Sequence, residues 1–86
     1  MASYELVFKR SVVKDLRAIP NRDVARIVAC IERLRDDPRP PQSRKLSAQE
    51  RYRLRLGRYR ILYEIHDGRL IVTVIKVAHR REVYRS

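Results

Sequence analysis

The sequence predicts an α+β domain with the element order β-α-α-β-β-β, and three observations carry that prediction. Between residues 10 and 36 apolar side chains recur at helical spacing in two stretches separated by Pro20. From Arg51 to Tyr63 arginine alternates with Tyr or Leu in the period of two that belongs to a strand. Two turn signals, Gly57-Arg58 and Asp67-Gly68, divide the C-terminal half into three strands. With 86 residues the chain can bury one core and has no room for a second, so 1–86 reads as a single domain.

Taken in order, Tyr4 to Phe8 sets Tyr4, Leu6 and Phe8 against Glu5 and Val7, a short strand with one apolar face. Ser11 is the expected N-cap of a short helix that carries Val12, Val13, Leu16 and Ile19 on one stripe and is closed by Pro20. Asn21 caps a second helix running to about Asp36, with Val24, Ile27, Val28, Ile31 and Leu34 at helical spacing. Each helix is amphipathic, so each needs a sheet or the other helix to cover its stripe. Pro38, Pro40 and Pro41 forbid helix continuation and make 37–43 a stiff extended connection.

A two-residue turn with Gly57 at its first central position pairs Leu56 with Tyr59, Arg55 with Arg60, Leu54 with Ile61 and Tyr52 with Tyr63. One face of this hairpin is then apolar or aromatic. The other sets Arg55 across from Arg60 with Arg53 beside them, and like charges facing each other across strands are destabilising. An anion between them would remove the repulsion, and a polyphosphate chain suits guanidinium groups in a row because each can bind phosphate oxygens bidentately. The competing reading is a solvated cationic face neutralised locally by Glu50, Glu64 or Glu82. After Asp67-Gly68, read as a second two-residue turn, the run from Leu70 to Ala78 is almost continuously apolar, as in a central strand covered on both faces. That turn sets Arg60 opposite Ile75 and Arg58 opposite Val77, and it sends the tail out at the Gly57 end, where Arg80 and Tyr84 can approach Arg55 and Arg60.

Charge supports the anionic reading. Twenty-one Lys and Arg stand against ten Asp and Glu, a net charge of +11. Residues 1–43 contribute nine basic and six acidic side chains and residues 44–86 twelve and four, so the working surface belongs to the C-terminal half. Seventeen of the cations are arginine, the better phosphate ligand. No apolar run approaches the roughly 20 residues of a membrane span and no signal segment opens the chain, so a cytoplasmic protein without membrane contact is expected. Cys30 lies in a helical pattern as a packing residue.

His66 and His79 with one cysteine form no metal-ligand spacing, and a chain with two glycines holds no phosphate-cradling loop, so no cofactor is expected. Ser11, Ser43 and Ser47 have no evident His and Asp partners for a hydrolase triad. Fixed positive charge remains as a catalytic device. Attack of an RNA 2′-hydroxyl on the adjacent phosphate builds charge on the nonbridging and leaving oxygens, which preorganised cations stabilise more than the ground state. Arginine is a poor general base; Tyr84, with its phenolate favoured by neighbouring cations, is a candidate helper.

Lys45-Leu46, Tyr52-Arg53-Leu54-Arg55, Gly57 with Tyr59-Arg60-Ile61-Leu62-Tyr63, Val77-Ala78-His79-Arg80 and Val83-Tyr84, together with Asp15-Leu16, resemble the RelE/ParE superfamily of bacterial and archaeal toxins over nearly the whole chain. The resemblance implies two N-terminal helices packed on one face of a mostly antiparallel four-stranded sheet. It also implies a RelE-type mRNA interferase of a type II toxin-antitoxin pair, which cleaves mRNA in the ribosomal A site by metal-free 2′-hydroxyl attack and is held by a RelB-like antitoxin. Carried over by position, the catalytic set is Arg53, Arg55, Arg60, Arg80 and Tyr84, with Lys45, Arg51, Arg58, His79 and Arg81 as RNA-binding candidates. Arginine stands at 53 and 55 where lysine is familiar in the family, and the tail is shorter by a couple of residues. The runner-up is a ParE-like inhibitor of DNA gyrase without nuclease activity, and a third reading is a basic RNA-binding protein without catalysis.

Overall fold

The computed structural model describes residues 3–46 and 50–79. Strand β1 (Glu5–Phe8) leads into helices α1 (Arg10–Arg17) and α2 (Asn21–Glu32), and a single 3-10 turn (Arg33–Arg35) follows. Strands β2 (Ser43–Lys45), β3 (Arg51–Leu56), β4 (Tyr59–His66) and β5 (Ile71–His79) complete the chain's described order. They form one sheet in the order β1-β5-β4-β3-β2, with β1 parallel to β5 and every other pair antiparallel.

Both helices lie on one face of this sheet, as predicted. Val12 of α1, Ile27 and Ile31 of α2 and Leu34 are fully buried against Tyr52 and Leu54 of β3, Ile61, Tyr63 and Ile65 of β4, and Val72, Val74 and Val77 of β5. These strand residues are the alternate positions that the period of two assigns to the core. Tyr4 and Leu6 pack on the same core, whereas Phe8, grouped with them in the sequence, is 40% exposed.

Several boundaries differ from the prediction for local reasons. Helix α1 begins at Arg10 with Lys9 as its N-cap, so Ser11 lies inside it, and α2 begins at Asn21 with Pro20 as the cap residue. The expected run to Asp36 tightens into the 3-10 turn after Glu32, which still buries Leu34. A fifth strand, β2, forms where only an extended connection was expected. Once the prolines have straightened the chain, Ser43, Arg44 and Lys45 pair with Leu54, Arg53 and Tyr52.

The β3-β4 hairpin has the predicted register throughout, from Leu56 opposite Tyr59 to Tyr52 opposite Tyr63. Gly57 sits at φ +57° while Arg58 keeps a negative φ, the combination that places glycine at the first central position. The β4-β5 register does not follow the prediction. The connection is a four-residue loop, Asp67 to Leu70, with Leu70 at φ 54° and His66 opposite Ile71. An irregularity between Leu62 and Tyr63 slips the ladder once more, so Arg60 faces Ala78 rather than Ile75 and Tyr59 faces His79.

Beyond Val74, β5 has outrun β1, which ends at Phe8. The Asp15 carboxylate of α1 takes over there by accepting the Val77 N–H at 3.2 Å, with Lys76 Nζ at 3.8 Å. Buried backbone donors need such partners where a strand neighbour is missing.

At the opposite end of the sheet the Tyr63 hydroxyl donates to the Pro38 carbonyl at 2.7 Å, and burial pushes its pKa from 10.0 up to about 12. A raised folded-state pKa contributes stability that is complete below the unfolded value and lost as pH rises through the folded one. Stability should therefore hold to pH 10 and fall between 10 and 12, as the unfolded tyrosine ionises first. Tyr4 and Tyr59, raised mainly by their hydrogen bonds to Asp67 and Asp23, add in the same direction. Denaturant midpoints across that range should drop in the wild type and drop distinctly less in Tyr63→Phe; equal slopes would refute the assignment.

Candidate functional site

Because Tyr52, Leu54 and Leu56 of β3 turn toward the helices, Arg51, Arg53 and Arg55 stand on the opposite, outer face. The antiparallel registers extend that face in both directions. Arg44 of β2 lies across from Arg53, and Arg60 of β4 lies across from Arg55. Gln42, Arg44, Arg53 and Arg55 line an open recess of about 290 Å³. Among the described residues none of Arg44, Arg53 and Arg55 forms an ion pair with a carboxylate. Three guanidinium groups thus converge on one solvent-filled hollow, an arrangement suited to phosphate oxygens.

Arg60 belongs to this face by register but is 1% exposed, the largest fully buried side chain of the chain's described part. Its side chain therefore stands on the outer face and is shielded from solvent there, a buried charged group. Directly across from Arg55 and shielded from solvent, it is the fixed member of the group.

The remaining predicted residues separate. Arg51 Nε donates to Glu64 Oε2 at 3.1 Å, so one position of the arginine face is neutralised within the sheet, by one of the carboxylates that the solvated-face reading named. Lys45 lies opposite Tyr52, hence toward the helix side, and its Nζ is 3.5 Å from Glu50 Oε1. Arg58 sits in the turn and borders a different cleft, of about 330 Å³, with Asp23, Arg26, Ile27, Leu56, Gly57 and Tyr59. There the Tyr59 hydroxyl donates to Asp23 Oδ2 at 2.8 Å. His79 faces Tyr59 across the strands, ring edge to ring face with centroids 5.8 Å apart, again on the helix side. Arg80, Arg81 and Tyr84 lie outside the described residues.

Arg44 and Gln42 were missed in the sequence. The dipeptide Arg44-Lys45 puts one cation on each face of any strand it joins, but which one shares the face of Arg53 depends on the β2-β3 register, and three residues carry too little apolar pattern to set it. Among the described residues no three of His, Cys, Asp and Glu gather as a metal site, and Cys30 is a half-buried thiol whose pKa burial pushes up.

Residues 6–84 match the family described as the ParE toxin of the type II toxin-antitoxin system parDE. Toxin RelG of Mycobacterium tuberculosis is 30% identical over 84 residues, which cover 95% of this chain and 97% of that protein. The toxin of an archaeal RelE-RelB complex from Pyrococcus horikoshii OT3 superposes with a TM-score of 0.83 at 26% identity, covering 91% of this chain and 96% of that one. In the RelBE2 toxin-antitoxin complex from Mycobacterium tuberculosis the corresponding values are 0.78, 28%, 91% and 99%. With the helix-backed sheet, the Gly57 hairpin and the matched span of nearly the whole chain in agreement, this protein belongs to the RelE/ParE family of toxins of type II toxin-antitoxin systems.

Proposed function

We propose that this toxin is a ribosome-dependent mRNA endonuclease that cuts message in the A site by attack of the RNA 2′-hydroxyl on the adjacent phosphate, without a metal. The observation that carries the reading is the convergence of Arg44, Arg53 and Arg55 on one open recess, with Arg60 buried directly across from Arg55. Cations held in place before the reaction stabilise the charge that develops on phosphate in the transition state, and they need no proton transfer of their own to do so. Arg53 and Arg55 grip the nonbridging oxygens, Arg60 and Arg80 stabilise the developing charge, and Tyr84 serves proton transfer. Arg51, Arg58 and Arg81 contribute to RNA binding from the rim, the turn and the tail, whereas Lys45 and His79, which face the helix side, lie off that path.

The solved relatives named above are toxin-antitoxin complexes, which supports a RelB-like antitoxin as this chain's partner and a heteromeric resting state in the cytoplasm. An acidic, amphipathic segment laid on the arginine face would neutralise it and block phosphate entry together. Among the described residues no helix is long and apolar enough to cross a membrane.

Among the described residues the face has no deep pocket to orient RNA by itself, so positioning falls to the ribosome. Primer extension after toxin expression should show cuts within codons of translated messages, while the same RNA without ribosomes stays nearly intact. Equal cleavage of naked and translated RNA would overturn the proposal. The match to a family described by ParE favours one alternative, inhibition of DNA gyrase. Intact mRNA alongside stalled gyrase cleavage complexes would select it.

A further inference from the structure

Strand β2 has three residues, lies at the edge of the sheet, and brings Arg44 directly opposite Arg53. Like charges in that position push strands apart, and a short edge strand has few ladder bonds to resist. Something besides the ladder therefore holds β2 in place. Arg39, in the proline segment that leads into β2 and near the face opposite the recess, is placed to do so.

Arg39 Nε donates to the Tyr52 hydroxyl at 2.9 Å, and its two terminal nitrogens donate to Asp67, Nη2 to Oδ2 at 2.8 Å and Nη1 to Oδ1 at 3.3 Å. The guanidinium also lies over the Tyr52 ring, 5.3 Å from its centroid, and 3.7 Å from Glu50 Oε2. Asp67 is itself gripped from a second side by the Tyr4 hydroxyl at 2.7 Å, and Arg39 first, then Tyr4, holds its carboxyl below the usual carboxylate range. One side chain thus ties the proline segment to β3 and to the β4-β5 loop. Between Arg39 and Arg44 the chain has little slack. Pro40 and Pro41 have fixed φ, and Ser43 turns back on Pro40 through both its N–H (2.9 Å) and its hydroxyl (2.7 Å) to the Pro40 carbonyl.

We infer that Arg39, through its fork on Asp67 and Tyr52, is a positioning residue that holds β2 against Arg44–Arg53 repulsion and so sets the width of the phosphate-binding recess. It touches no substrate. The inference rests on reading the arginine face as a phosphate site. It does not require that the phosphate belong to mRNA.

The test uses the full-length toxin and inorganic pyrophosphate at low, fixed ionic strength, with binding followed by the NMR signals of the arginine Nε–H groups. Asp67→Ala is the informative variant, because it removes an exposed carboxylate and makes the protein more cationic. Charge alone would then tighten pyrophosphate binding; loss of the clamp should weaken it, by about fivefold. Asp67→Glu should restore most of the affinity. Arg39→Lys keeps the charge but cannot hold Asp67 and Tyr52 at once, and should weaken binding similarly while the melting temperature moves little, since exposed ion pairs contribute little to stability. In both weakened variants the Arg44 and Arg53 signals should already be displaced before ligand is added. Affinity in Asp67→Ala equal to or tighter than wild type would overturn the positioning role alone. No saturable binding of pyrophosphate by the wild type would overturn the phosphate reading of the face and this inference with it.

Discussion

Arg55→Ala is expected to lower the single-turnover rate of mRNA cleavage on ribosomes by about 100-fold or more, the cost of removing one preorganised donor from a developing oxyanion. Ribosome affinity should change by no more than a few fold, because a highly cationic surface spreads binding over many contacts. Arg55 lies open on the recess wall with no carboxylate partner among the described residues, so its removal leaves the fold intact. Arg60 should behave differently. It is 1% exposed, so Arg60→Ala should lose rate and melting temperature together, through the cavity it leaves. Arg60→Lys separates charge from shape: the charge stays and the bidentate fork goes, so a rate near wild type would show that charge alone suffices. Paired single-turnover assays and thermal melts check the division. An Arg55→Ala variant whose ribosome affinity falls in step with its rate would mean that Arg55 only holds substrate, and the catalytic assignment would be wrong.

Leu54→Ala is expected to destabilise the domain by about 2–5 kcal/mol. Leu54 is fully buried on the helix side of β3, between the outward Arg53 and Arg55, and packs in the cluster that includes Ile27, Ile31 and Ile61. A domain of this size has on the order of 5–15 kcal/mol in total, and each kcal/mol moves its melting temperature by about 4–8 °C. A drop of roughly 10 °C or more should therefore appear in a thermal melt. Below that temperature the variant should cleave at a rate close to wild type, since the outer face is untouched. Leu62, half-buried on the outer face opposite Arg53, should cost distinctly less on truncation. A melting temperature unchanged in Leu54→Ala would show that the strand faces are assigned the wrong way round.

The arginine hairpin was readable before any coordinates because two independent local signals agree on it. Alternation from Arg51 to Tyr63 divides the residues between two faces, and Gly57, the residue that tolerates φ +57°, sets which residues meet across the turn. Helix positions were readable for the same kind of reason: the stripe of Ile27, Ile31 and Leu34 repeats at the helical period and is the stripe the core buries. Membership of the toxin family rested on the order of such local pieces along the chain, and the match over residues 6–84 agrees with it.

What the chain's local pattern determined, then, was the identity of each face: apolar toward the helices, arginine away from them. The tertiary structure decided what those faces meet. Asp67-Gly68 looked like a tight turn, but its flanking strands and the grip of Tyr4 and Arg39 on Asp67 accompany a wider loop, and the slip at Leu62 then carried Arg60 to Ala78. Arg44 joined the cationic recess and Lys45 turned away from it through the β2-β3 register, and Arg60, on the outer face where the alternation put it, proved to be buried there. Periodicity is a property of one strand and survives in the sequence. Register is a relation between two strands, fixed by the packing energy of the whole sheet, and a one-residue shift costs nothing in either strand's own pattern.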